Sequence, residues 1–128
     1  MVINVQLIAD ARALFVALGI ISIGILEWFH PSIAALGFGV PLVAPEDRDF
    51  LAIKPSRDIA SGAVILTLLT IGDHSAVADT MLARTLIPIR DGLVVFKHAG
   101  WIFKPAILIH WGTATLMLIM VEQLRSGM

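Results

Sequence analysis

Four ionisable residues stand out in an otherwise apolar chain: Arg57, Asp58, Asp91 and His110. A carboxylate and an imidazole in one low-dielectric site can act on a substrate together, one donating a proton while the other accepts one. An arginine beside them supplies N–H donors to a developing oxyanion or fixes an ionised carboxylate. This set suits isomerisation, cyclisation or epoxide opening of a lipophilic molecule without electron transfer. Asp91 and His110 are the expected acid–base pair, with Asp58 as the orienting or second acid. Arg57, Ser61, Glu27 and Thr113 are the expected substrate contacts. No metal centre is expected, because Glu27 and His30 form a solitary Glu-x-x-His at a helix end and no His-x3-His or further Glu-x-x-His pair occurs. The chemistry calls for no cofactor.

The solvent around these residues follows from composition. Of 128 residues, 58% are apolar before the ten glycines are counted, against roughly 45–50% with glycine in an average soluble domain. Charged residues are 15% where about a quarter is usual, and the mean hydropathy is +0.91. So few charged side chains cannot cover a small globule in water, which makes lipid the expected surroundings. A net charge of −1 provides no electrostatic footprint for nucleic acid. The absence of cysteine excludes disulfides, thiolate metal sites and cysteine nucleophiles.

The expected fold is an all-α integral membrane protein, a single domain of four transmembrane helices in a bundle. A span needs about 20 mostly apolar residues, and the chain offers spans at about 7–28, 57–72, 76–96 and 104–124. The first carries Asp10 and Arg12, lacks a basic leader and reads as a retained span, not a cleaved signal. Ala9, Ala13 and Ala17 form a small-residue stripe on it that would admit a close neighbour. Pro55-Ser56 reads as a breaker and cap before the second span, and Gly72-Asp73-His74-Ser75 as the turn into the third. Asp79, Arg84, Arg90 and Asp91 make the third span too charged for lipid on all sides, so the helices must pack together. Asp79 and Arg84 read as a snorkelling surface pair. Between spans one and two, residues 30–56 form a long Pro/Gly-rich loop, a candidate lid.

Depth along these spans brings the polar residues together. If the face carrying the long loop is side A, Glu27, His30, Arg57 and Asp58 lie at that face. Asp91 lies six residues before Lys97 and His110 six residues after Lys104, each about 9 Å below the surface. Asp58, Ser61, Gly62 and Ile65 share one helix face, as do His110, Thr113, Ala114 and Met117. Together they describe a funnel with a wet mouth and an apolar floor. Trp28 and Trp101 mark the same interface.

The segments Lys54-Pro-Ser-Arg-Asp-Ile-Ala-Ser-Gly62, Ile87-Pro-Ile-Arg-Asp-Gly92 and His110-Trp-Gly-Thr-Ala114 resemble a family of small four-span membrane proteins of fungi and bacteria, catalogued as a domain of unknown function. The resemblance covers about Gly19 to Val121, and the polar residues of the family's motifs fall on Arg57, Asp58, Asp91 and His110. Fungal members are often found near natural-product pathways, which implies a lipophilic small molecule as substrate. It also implies the endoplasmic reticulum membrane in a fungus and the inner membrane in a bacterium.

Two other functions fit the same residues. A carrier or proton-coupled transporter also uses intramembrane Asp and His, although the polar residues stop halfway across. A structural or assembly subunit would use them to lock helices together. Membrane lipid is an expected partner and self-association is allowed. Five basic residues at side A (Arg48, Lys54, Arg57, Lys97, Lys104) against three at the opposite face (Arg12, Arg84, Arg125) favour side A in the cytoplasm.

Overall fold

A computed structural model of the chain describes residues 4–38, 48–49, 51–100 and 104–127. Among these, every regular element is a helix. Helix α1 (Val5–Phe29) begins at Asn4, whose side chain accepts a hydrogen bond from the Gln6 N–H at 3.0 Å. Its buried face is Ala9, Ala13, Ala17, Gly24 and Glu27. The small-residue stripe is thus the packing face, and α3 (Ile53–Ile71) is the helix that comes close. Two glycines set that approach from opposite sides. A Cβ at Gly24 would lie 2.9 Å from the Pro55 carbonyl, and one at Gly62 would lie 2.6 Å from the Ala17 carbonyl. Neither backbone can come this close with any larger residue.

Two boundaries differ from expectation. Pro31–Phe38, inside the expected loop, is a helix (α2). Pro31 opens it at the first position, where a missing N–H costs nothing and the fixed φ already suits a helix. Ala34 and Ala35 are its buried residues. The rest of the expected lid, including Pro41, Pro45, Glu46 and Asp47, lies outside the described residues, as does Trp101. Helix α3 starts four residues before the expected Arg57. Pro55 is inside its first turn, and Ser56 is not a cap, since its hydroxyl donates back to the Ala52 carbonyl at 3.0 Å.

At the far end of α3, Gly72 takes a left-handed conformation (φ 79°), and Asp73 caps the next helix by accepting from the Ala76 N–H at 2.9 Å. The third expected span is two helices, α4 (His74–Arg84) and α5 (Leu86–Ala99), divided at Thr85. Pro88 explains the division: it has no N–H for the Arg84 carbonyl four residues back, and its ring crowds that carbonyl. The last helix, α6 (Lys104–Ser126), carries Pro105 in its first turn and packs on α1, α4 and α5. Ile65, Met81, Met117, Met120 and Leu124 form the core where these helices meet near the termini.

Helices α1 and α6 are long and apolar enough to cross a membrane, and only 28% and 33% of their most apolar stretches are buried within the protein. Phe15, Phe29 and Ile109 are more than half exposed. The apolar surface therefore faces outward.

Candidate functional site

The helices leave a cavity of about 280 Å³ between them, to which α1 through α6 all contribute. Its polar lining is Glu27 from α1, the Gly37 backbone from α2, Lys54, Asp58 and Ser61 from α3, Arg84 and Asp91 from the kinked α4–α5 pair, and His110 and Thr113 from α6. The remaining wall is apolar, including Ile20, Ile23, Ile33, Ile87, Ile109 and Met117. Asp58, Asp91 and His110 thus face one space, with Ser61, Glu27 and Thr113 around them. Arg57, the remaining expected contact, stands behind the wall and reaches the site through its ion pairs.

A continuous charge network organises one end of the cavity. Lys54 Nζ lies 2.6 Å from Glu27 Oε2 and 2.9 Å from Asp58 Oδ2, joining α1 to α3. Arg57 follows with Nε 3.4 Å from Asp58 Oδ1 and Nη2 2.9 Å from Asp91 Oδ2, joining α3 to α5. Its Nη1 is also 3.5 Å from Asp91 Oδ1, so the guanidinium fork addresses both oxygens of that carboxylate. Glu27 and Asp91 are almost fully buried, at 6% and 7% exposure. Charges that deep are sustained only by partners. Gly92 beside Asp91 gives room for the Trp111 indole, which donates to the Ile89 carbonyl at 3.4 Å.

His110 Nε2 is 3.2 Å from the Gly37 carbonyl. A carbonyl oxygen can only accept, so Nε2 carries the proton and the basic nitrogen of the neutral ring is Nδ1. Ser61 is 3% exposed and donates its hydroxyl to the Arg57 carbonyl at 2.6 Å, leaving its oxygen able to accept. Thr113 likewise donates to the Ile109 carbonyl at 2.7 Å.

Several placements differ from the expectation. Asp91 and His110 line one cavity, but the described partner of Asp91 is Arg57. Lys54 is not an interfacial cation; its side chain is 12% exposed and tied to two carboxylates. Arg84 does not pair with Asp79 at the surface. Asp79 bonds Arg125 at 2.8 Å instead, while Arg84 lines the cavity. Nothing in the residue types distinguishes these two outcomes for an arginine; the direction of its side chain depends on the kink. His30 is exposed and ends α1, its N–H bonding the Leu26 carbonyl. Among the described residues, no group of three or more His, Asp or Glu is arranged to hold a metal ion.

No curated protein and no solved structure matches the chain. A family described only as a domain of unknown function (DUF4267) matches residues 17–122, a stretch that contains every residue of the cavity lining. That description names no activity, ligand or compartment. The chain belongs to the DUF4267 family.

Proposed function

We propose that the protein is a four-pass membrane enzyme that performs acid–base chemistry, without electron transfer, on a lipophilic small molecule. The observation that carries this reading is one cavity whose apolar wall is built chiefly of isoleucine and into which Asp58, Asp91 and His110 face together. Its volume, about 280 Å³, lies near the lower end of small-molecule sites, roughly 300–1,000 Å³. The apolar wall would take the body of the substrate, and the charged end would act on its polar or unsaturated part.

In this reading Asp91, with Arg57 as its counter-ion, and His110 form the acid–base pair, with Nδ1 of His110 as the nitrogen that exchanges a proton with the substrate. Asp58, between Lys54 and Arg57, orients the substrate or serves as a second acid. Isomerisation, cyclisation and epoxide opening all fit such a pair. The four passes are α1, α3, the α4–α5 pair and α6, with α2 lying over the mouth. A substrate class from natural-product biosynthesis accords with the family resemblance.

The test is a turnover screen of the detergent-solubilised protein against lipophilic ketones, polyenes and epoxides, followed by liquid chromatography and mass spectrometry. A product of unchanged mass, or of one added water, is expected from the native chain. Asp91→Asn and His110→Gln should each lower its rate by about 100-fold or more, the usual scale for a positioned acid or base. Unchanged turnover in Asp91→Asn would remove the assignment.

A second reading is favoured by one observation: the Lys54 and Arg57 ion pairs tie α1, α3 and α5 together. A structural or assembly subunit would use them only for this. It would lose stability on changing Asp91 and would bind no small molecule in the cavity.

A further inference from the structure

The cavity has two levels. Seven residues separate Glu27 from Ile20 on α1, His110 from Met117 on α6, and Asp91 from Arg84 on the α4–α5 pair. Within α1 and within α6, seven residues are two helix turns, about 10 Å of rise, and return to the same helix face; across the break at Thr85, Arg84 is placed by its position in the cavity lining. Each pair lines the cavity, so Glu27, Asp91 and His110 mark one level, and Ile20, Arg84 and Met117 a second one nearer the core. Among the described residues that line the cavity, Arg84 is the charged side chain at the second level.

Its charge is unanswered there. The carboxylates at the first level already hold cations within 3.5 Å, Glu27 and Asp58 through Lys54, Asp58 and Asp91 through Arg57. No salt bridge or hydrogen bond of the Arg84 side chain exists among the described residues. An arginine in apolar surroundings is costly unless an acceptor meets it. Its helix could have sent it outward beside Asp79; the Pro88 kink turns it into the cavity instead.

We infer that the ligand of this cavity is a lipophilic oxyanion, a carboxylate in the simplest case, whose charged oxygens are held by Arg84 while its apolar body lies along Ile20, Ile87 and Met117. The guanidinium fork presents two parallel N–H donors that match a carboxylate, a geometry that neither a lysine nor a neutral donor reproduces. Bound in this way, the anion would leave the part of its body along Ile87, one helix turn from Asp91, nearest the proposed proton transfers. The inference names a substrate class for that site and so rests on the small-molecule reading.

The test compares saturated carboxylic acids of six to twelve carbons with their methyl esters, binding to the full chain in detergent and read by native mass spectrometry. The ester keeps the apolar body and removes the charge. The acid is expected to bind the native protein at least about tenfold more tightly than the matched ester, the scale of a charge-assisted pair. Arg84→Gln should lower acid binding to the level of the ester, and Arg84→Lys should restore only part of the preference. Equal binding of acid and ester to the native protein overturns the role of Arg84 and leaves the cavity reading standing. Absence of binding by every acid and ester overturns both.

Discussion

Lys54 holds two carboxylates from two helices, Glu27 at 2.6 Å and Asp58 at 2.9 Å, all three side chains being no more than 14% exposed. Removing one member of a buried pair leaves the other charge without compensation, at a cost of about 3–5 kcal/mol. Lys54→Met should therefore lower the melting temperature in detergent well below that of Glu27→Gln, which removes a charge instead of stranding two. Equal melting temperatures would show that the network is solvated and not structural. Arg57 and Asp91 should behave as a coupled pair. Arg57→Met and Asp91→Leu are each expected to destabilise, and the double variant should recover about 1–3 kcal/mol of their sum. That Asp91 and His110 would reach one cavity was legible by counting residues from Lys97 and Lys104, because helix rise is constant. Their partners were not. An arginine side chain reaches several ångströms in any direction, so neither the Arg57 bridge to Asp91 nor the turn of Arg84 into the cavity follows from spacing alone.

The contact between α1 and α3 rests on small residues, and its tolerance is sharply local. Gly62→Ala would put a methyl 2.6 Å from the Ala17 carbonyl, and forcing the helices apart costs roughly 1–3 kcal/mol. Gly19→Ala, on the same helix as Ala17 but with nothing within 4 Å of the new methyl, should be neutral or gain up to about 1 kcal/mol of helix propensity. Thermal unfolding of the two variants side by side checks this, and a similar loss in both would show that the close approach is not what holds the helices. The stripe Ala9, Ala13, Ala17 was legible because i, i+4 spacing of small residues has few other uses at a packing face. The helix α2 was not. Pro31, Gly37, Gly39 and Pro41 read together as a loop, yet Pro31 falls where proline starts a helix and only Gly37 interrupts the eight-residue helix. The break at Thr85 has the opposite cause: Pro88 was visible, but the apolar run through it disguised the kink.

For the molecule as a whole, exposed apolar residues such as Phe15 at 77% and Ile109 at 67% fit a surface covered by lipid rather than water. The proposed four-pass topology would put both termini on one side. The chain has no cysteine, so single cysteines can be introduced without background. Cysteines placed at residues 4 and 127 should react with a membrane-impermeant maleimide from the same side of sealed vesicles, and cysteines at 15 and 109 from neither. Labelling of the two ends from opposite sides would exclude an even number of passes. Composition made two helices long and apolar enough to cross a membrane legible, whereas the cavity was only sketched as a funnel, since its volume depends on how the α4–α5 kink and α2 close around it. The most direct test of the account is whether that cavity takes a lipophilic molecule. Native mass spectrometry of the purified chain, released from detergent, should show a non-covalent lipophilic adduct on the native protein. Thr113→Trp, which fills the cavity from α6, should lose the adduct while melting at nearly the same temperature. An adduct retained equally by both proteins, or absent from both, would contradict a ligand site between these helices.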